Sequence, residues 1–354
     1  MPHLGCYGTP DIHTPNLDRF ASEGIRFDRA YVTASQCVPS RASIMTGRSP
    51  VRIGMTRFSA PLPMEIVTYP ELLRKAGYFT GVAGRGYHLD GAKKPKVTAE
   101  IFDKHNLETF SRRLDFVKQT SAEKGPQFND NIIRQLAEFL EEVPSGKRFF
   151  LQLCTSDPHR GWDRNGIPSP RDPAKIKLPS WYPDTPEVRR DFADYYDEIA
   201  RLDETFGRAM KELESRGLAT NTLVFFMGDN GASQLRGKGT LYELGIRVPL
   251  LARWPGIIKP ARVSEELISG EDIGPTALQA AGVAVPGEWT GKSFLPLLRG
   301  EKFSARDKVF AERGPHATGL PGNTSSFDLS RAVVTRTHKL IYNALFSQPY
   351  RPID

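Results

Sequence analysis

The sequence predicts an α/β fold with a mostly parallel sheet covered by helices on both faces. Three observations predict it: helical and strand patterns alternate along most of the 354 residues, Gly and Pro punctuate them, and the strand patterns are continuously apolar. Leu223-Val224-Phe225-Phe226-Met227 is the strongest such run. Strands buried on both faces read this way, and βα succession brings parallel strands together.

Thr14-Pro15 opens the first helix as N-cap and first-turn proline, Leu17, Phe20 and Ala21 form its apolar face, and Gly24 closes it. Ile25 to Val32 reads as a strand. Thr68-Tyr69-Pro70-Glu71 is a capping box ahead of Leu72 and Leu73, with Gly77 at the far end and a strand at 78–83. A helix is expected over 130–143 and a strand over 149–155. Thr185-Pro186 opens the longest helix, which runs to about Arg216 and stops at Gly217. A strand at 222–227, another at 249–254 and a helix at 273–281 continue the alternation.

Residues 84–130 and 156–185 are rich in Gly, Pro and charge and read as long loops over one sheet edge, where function concentrates. Short strands at 308–311, 332–335 and 339–343 predict an antiparallel subdomain, so the expected division is 1–305 and 306–354. Ligands of such sheets bind where strands end.

Composition is that of a globular enzyme, 39% hydrophobic and 25% charged. No run approaches the roughly 18 apolar residues of a membrane span, and the N-terminal residues show neither part of a signal peptide. Three scattered cysteines argue against a disulfide framework or a structural zinc site. The net charge of +7, from 48 basic and 41 acidic residues, suits anionic substrates or simply a solvated basic surface. Nothing implies nucleic acid or a membrane as partner.

Chemistry concentrates after the strand ending near Val32. In Cys37-Val38-Pro39-Ser40-Arg41-Ala42-Ser43-Ile44-Met45-Thr46-Gly47-Arg48, Pro39 suits a helix first turn. Cys37 is therefore placed just ahead of a helix N-terminus, which favours an anion. Arg41, one turn in, adds a charge-assisted bond. By these features Cys37 is a candidate thiolate nucleophile or a small buried residue, the reading given to Cys154.

The string C-x-P-S-R-x-x-x-x-T-G-R resembles the signature of the formylglycine-dependent sulfatases. Further segments resemble the same family: Gly5-Cys6-Tyr7-Gly8, Thr14-Pro15-Asn16-Leu17-Asp18, Phe226-Met227-Gly228-Asp229-Asn230-Gly231 and Gly237-Lys238-Gly239-Thr240-Leu241-Tyr242-Glu243. Asp157-Pro158-His159-Arg160 and Pro183-Asp184-Thr185-Pro186 are most similar to the heparan N-sulfatase (sulfamidase) branch. The resemblance implies an alkaline-phosphatase-like α/β sandwich and a sulfuric ester or sulfamate hydrolase acting on a sulfated carbohydrate. Cys37 is then oxidised to formylglycine by a formylglycine-generating or anaerobic maturating enzyme. One hydroxyl of the aldehyde hydrate attacks sulfur and the other expels sulfate.

The resemblance also assigns roles. Asp229 and Asn230, with residue 37, are metal ligands for Ca²⁺, with Mg²⁺ as the alternative. His159 stands near the leaving atom, Lys238 clamps the sulfate oxygens, and His88 partners the hydrate. Arg85 stands where the family pattern has lysine, and one extra residue separates it from His88. Arginine keeps the charge but delivers no proton.

Family members carry a first strand and an Asp-Asp metal pair before the Gly-Cys-Tyr-Gly segment, and Asp11 and Asp28 are not at matching positions. The sequence thus reads as truncated, with weak metal affinity, poor turnover, and a periplasmic or secreted location for a full-length version. The alternatives are a phosphonate monoester hydrolase or phosphodiesterase with the same aldehyde, and a non-catalytic anion-binding relic.

Overall fold

A computed structural model describes residues 3–56, 61–91, 95–119, 125–164, 166–314 and 329–347. In chain order its elements are α1 (Pro15–Ser22), β1 (Ile25–Phe27), β2 (Ala30–Tyr31), α2 (Cys37–Thr46), α3 (Tyr69–Lys75), β3 (Phe79–Gly84), α4 (Pro95–His105), β4 (Phe116–Gln119), α5 (Pro126–Glu142), β5 (Phe149–Cys154), α6 (Pro186–Ser215), β6 (Val224–Met227), α7 (Glu243–Ile246), β7 (Leu250–Arg253), β8 (Arg262–Ser264), β9 (Ile268–Ser269), α8 (Ile273–Ala280), α9 (Leu295–Arg299), β10 (Lys308–Arg313), β11 (Ser330–Thr335) and β12 (Lys339–Asn343).

The strands form two groups at the centre. One is parallel, in the order β4-β3-β5. The other has the order β6-β7-β1-β8, parallel at β1–β8 and antiparallel where β7 meets β6 and β1. A parallel pair, β2-β9, and an antiparallel sheet, β10-β11-β12, complete the set.

Helices cover both faces. Leu17, Phe20, Leu136, Phe139, Phe192 and Ile199, from α1, α5 and α6, belong to one buried cluster. Ile44, Met45, Tyr69, Leu73, Ile273 and Leu278, from α2, α3 and α8, belong to another. A third, smaller cluster joins Val309, Ala311, Ala332 and Val334 of the antiparallel sheet to Val32, Ile246 and Val248 of the main body.

The capping box predicted at Thr68–Glu71 is present. Thr185 caps α6, accepting from the Val188 amide at 3.4 Å, and Gly217 follows the helix at φ +71°. Several expectations are corrected. The single strand at 25–32 is two, because β1 joins β7 and β8 while β2 crosses to β9. Thr14 precedes α1 without capping it; its hydroxyl accepts from the Gly5 amide at 2.9 Å and donates to Asp18 at 3.0 Å. The supposed loop over 84–130 contains α4 and β4, although 92–94 and 120–124 lie outside the described residues. The segment 156–185 is irregular apart from a 3-10 turn at Pro173–Lys175.

Candidate active site

Strands β3, β5 and β6 all deliver their carboxyl ends to one place. Gly84 leads to Arg85, Cys154 to Ser156, Asp157 and His159, and Met227 to Asp229 and Asn230. Side chains from all three line one cavity of about 1190 Å³, together with Cys37, Arg41, His88 and Lys238.

Cys37 is the first residue of α2, not one ahead of it, and is 4% exposed. Its Sγ lies 3.1 Å from Asn230 Oδ1. Burial pushes the thiol above its usual range, with Lys238, Arg41 and Arg85 pulling against it and Asp229 adding to the rise. An unmodified Cys37 is therefore held as a thiol, which disfavours direct thiolate attack.

Arg41 turns toward β6, with Nε 2.6 Å from Asp229 Oδ2. Its Nη1 lies 3.1 Å from Cys154 Sγ and 3.4 Å from the Arg85 carbonyl. Burial alone would raise the Asp229 pKa, but the charges of Arg41 and Lys238 and the Arg41 hydrogen bond outweigh it and hold the carboxyl at about 2. His88 sits in a 3-10 turn at Tyr87–Leu89. Burial, then the charges of Arg41 and Arg85, lower its pKa well below the ordinary value, so its ring is neutral.

Across the cavity, Lys238 Nζ lies 3.2 Å from His159 Nε2, and His159 Nδ1 lies 3.1 Å from the Arg160 carbonyl. With Nδ1 as donor to that carbonyl, Nε2 offers its lone pair to the lysine. Backbone bonds fix both functional turns: Lys238 N–H to Ala232 O at 2.7 Å, Gly239 N–H to Ser35 O at 2.9 Å, and Gly231 N–H to Gly245 O at 3.0 Å. A Cβ on Gly231 would come within 1.7 Å of the Leu244 carbonyl, so only glycine fits there.

Every predicted site residue thus reaches this cavity. The sequence reading missed four supporting groups. Cys154, expected to be an inert buried residue, is buried but faces Arg41. Arg85 Nη1 lies 3.4 Å from the Ser156 hydroxyl. Arg201 grips Asp157 with Nε and Nη2, both at 2.7 Å, while Asn129 donates to Asp157 Oδ2 at 2.9 Å. This clamp stands two residues from His159. Its members are 28 and 44 positions from Asp157 in sequence, and no local pattern marks them.

As a metal centre the site is short of donors. Asp229 and Asn230 supply an oxygen pair of the kind a hard cation takes, but Ca²⁺ needs roughly six to eight oxygens. Among the described residues no group of three or more His, Cys, Asp or Glu could hold a metal ion. These residues do not by themselves fit the ion.

A cationic, partly apolar cavity at the carboxyl ends of a mixed α/β sheet, with a buried cysteine at a helix start, defines an anion-binding site of the kind found in α/β enzymes. The family profile for sulfatases matches residues 1–283, and that for the C-terminal part of N-sulphoglucosamine sulphohydrolase matches 231–344. The chain belongs to the sulfatase family and is a sulfuric ester hydrolase. It is 33% identical to human (Homo sapiens) arylsulfatase A over 350 residues, covering 87% of this chain and 67% of that protein. To human N-sulphoglucosamine sulphohydrolase it is 28% identical, covering 99% and 72%.

Two solved structures share the fold. One is an enzyme in complex with its substrate D-glucosamine-2-N,6-O-disulfate, with TM-score 0.75, 22% identity, and 96% and 85% of the two chains covered. The other is a phosphonate monoester hydrolase from Silicibacter pomeroyi, with TM-score 0.75, 20% identity, and 99% and 88% covered. The alkaline-phosphatase-like sandwich expected from the sequence is the fold observed.

Proposed function

We propose that this chain hydrolyses sulfate esters or sulfamates of a sulfated carbohydrate, with the side chain of residue 37, matured from cysteine to formylglycine, as the reacting group. The observation that carries the reading is the placement of Cys37 at the start of α2, between Asn230 and Arg41, on the cavity that also holds the Lys238–His159 pair. The aldehyde hydrate supplies a nucleophilic hydroxyl and a second hydroxyl that releases sulfate.

The chain's own residues do the rest. Arg41 and Lys238 present fixed positive charge to the sulfate oxygens, where negative charge is held most cheaply in a water-poor cavity. Lys238 and His159 share a proton across 3.2 Å and keep it available to the leaving oxygen or nitrogen. Neutral His88 offers a hydrogen bond to residue 37 without adding charge. Arg85 adds charge and no proton.

Asp229 and Asn230 would lend oxygens to a divalent cation, Ca²⁺ or Mg²⁺, if one were bound. Since the described residues leave its shell incomplete, no step is assigned to the ion, and weak affinity and slow turnover are expected. Isothermal titration of the 354-residue chain checks this, and low-micromolar Ca²⁺ affinity would contradict it.

The division at 305/306 belongs to the same proposal. Arg306 bonds Asp272 and, at 2.8 Å, the Thr290 carbonyl, which marks a firm junction.

Mass spectrometry of the Cys37 peptide, after expression with a maturating enzyme, is the first test. Unmodified cysteine there favours the non-catalytic relic. Matured protein is then offered an aryl sulfate, N-sulfated glucosamine, an O-sulfated sugar and an aryl phosphonate monoester. Preference for the phosphonate overturns the sulfur reading, and preference for the O-sulfated sugar removes the sulfamidase-like refinement.

A further inference from the structure

Lys238 and His159 meet across the cavity from two different turns, one after β6 and one after β5. Neither turn is part of a sheet, so the 3.2 Å between Nζ and Nε2 has to be set by something that holds both. Arg160, the residue after His159, does so.

Its guanidinium bonds in two directions. Nη1 and Nη2 donate to the two carboxylate oxygens of Asp191, each at 2.9 Å, in the paired geometry that arginine forms and lysine does not. Nε donates to the Ser233 carbonyl at 2.9 Å, and Nη2 also reaches Gln234 Oε1 at 3.3 Å. Ser233 and Gln234 belong to the turn that Lys238 N–H closes on Ala232 O at 2.7 Å. The His159 loop and the Lys238 turn are thus tied to each other and, through Asp191, to α6.

α6 makes a firm anchor. It is 30 residues long, and Asp191, Glu198 and Arg201 share one of its faces. Along that face Asp191 also accepts from Trp162 Nε1 at 2.9 Å, Glu198 Oε1 accepts from the Asp163 amide at 2.9 Å, and Arg201 holds Asp157. The loop 157–163 is therefore pinned at its start, middle and end to one rod. Trp162 lies under the guanidinium, its ring centre 5.1 Å from Cζ. Tyr182, packed edge-on against Phe192 of α6, donates to the Leu235 carbonyl at 2.6 Å and steadies the far side of the turn.

Arg160 also bears on the ring itself. Its carbonyl faces His159 Nδ1 at 3.1 Å, which fixes the Nδ1–H tautomer and leaves the Nε2 lone pair for Lys238. His159, Ser233 and Lys238 line the cavity, and the Arg160 guanidinium stands behind them.

We propose that Arg160 is the positioning residue of the Lys238–His159 pair: braced on Asp191, it sets the separation of the two turns and the tautomer of the ring. What the pair does in turnover rests on the sulfatase reading; what holds it in place does not. Misplacing a reacting group by about 1 Å costs on the order of 10²-fold in rate, so a residue set back from the cavity can have a large effect.

The test replaces Arg160 by Met, which keeps the stem and removes these bonds, and by Lys, which keeps the charge without the fork. Asp191→Asn gives a second route to the same loss should Arg160→Met not fold. In each protein nitrogen NMR reads the tautomer of the His159 ring, with His159→Gln assigning its signal among the 7 histidines. The parent should show the Nδ1–H form. Arg160→Met and Asp191→Asn should show a mixture or the Nε2–H form, and Arg160→Lys should recover part of the parent signal. A parent without the Nδ1–H form, or an Arg160→Met protein that keeps it, overturns the proposal whether or not the chain turns over.

Matured protein supplies the second arm, with sulfate esters whose leaving groups run from nitrophenol to a sugar hydroxyl. Arg160→Met should leave KM within about threefold and lower kcat by about threefold for the nitrophenyl ester and about 10²-fold for the sugar ester. Only the more basic leaving oxygen needs the proton that the pair keeps. A loss equal across the series, or one confined to KM, shows support of the fold alone and overturns the proposal. If the parent hydrolyses none of the esters, the sulfatase reading fails while the ring signal still decides the role of Arg160.

Discussion

The two ends of the central cavity are built on opposite principles. At the polar end nearly every functional side chain is tied: Arg41 to Asp229, Lys238 to His159, Cys37 to Asn230, and the turns beneath them by backbone bonds of 2.7 to 3.0 Å. Along the mostly apolar shaft between β5 and β6 the side chains are largely half-buried, and among the described residues each strand pairs on one side only. The polar end is positioned by the ends of β3, β5 and β6 together with α2, the Asp157–Arg201 clamp and the 231–239 turn. Side chains at the polar end and along the shaft are therefore probed by different substitutions.

The largest effect belongs to Cys37. Cys37→Ala in matured protein should lower aryl sulfate turnover by about 10³-fold or more, since the reacting group is gone. Its Tm should stay within a few degrees of the parent, because the side chain removed is small. A variant that keeps a tenth of the activity would sink the assignment of residue 37.

Arg201→Met attacks the clamp. It leaves Asp157 without its two 2.7 Å bonds, and removes one partner of Asp163 at 3.2 Å and one of Glu198 at 3.7 Å. Stranding buried carboxylates this way costs about 3–5 kcal/mol. Urea unfolding should show that loss, and Asp157→Asn should lose less because the amide keeps some of the bonds. Equal stability of Arg201→Met and the parent would show the clamp to be ornamental.

These two sites differ in how far the sequence announced them. Cys37 stands in a local string whose proline and glycine carry their own conformational meaning; Gly47 does adopt φ +61° at the end of α2. Caps at Thr68 and Thr185 were legible for the same reason, since each is settled within four residues. The missed features are long-range. The Arg201 clamp spans two helices and a loop. β4 is a four-residue strand with one buried side chain, too short for alternation to stand out among the Gly and charge of 84–130. The 25–32 strand was over-read because hydrophobicity cannot show a chain leaving one sheet for another.

The shaft offers a cleaner contrast within one residue type. Phe139 is 0% exposed and packs against Phe79, Phe116 and Phe149, so Phe139→Ala should cost about 3–5 kcal/mol. Phe226 lines the central cavity, half-buried, with Phe206 as its aromatic neighbour. Removing it enlarges an existing cavity instead of opening a new one, and about 1–2 kcal/mol is expected. If the two costs are equal, the shaft is as well packed as the core and the contrast drawn here fails.

The smallest effect tests what backs the polar end. β10 leans on the segment leading to Cys37: Glu312 N–H bonds Thr33 O at 2.8 Å, and the Gln36 side chain reaches the Gly314 carbonyl at 3.3 Å. The Glu312 carboxyl is 10% exposed with Arg331 3.5 Å away. Burial raises its pKa from 4.5 to about 7, more than Arg331 and the Val51 backbone lower it. The folded state thus binds a proton that the unfolded state has released. That contribution is complete below pH 4.5 and is lost as pH rises through about 7. Glu312→Gln mimics the protonated form at every pH. Relative to the parent it should gain stability steadily between pH 4.5 and 7, reaching about 3 kcal/mol and then levelling. Urea unfolding of both proteins at several pH values measures the difference. A difference that does not change across that window would mean that the carboxyl ionises freely, and that β10 supports the Cys37 segment through its backbone alone.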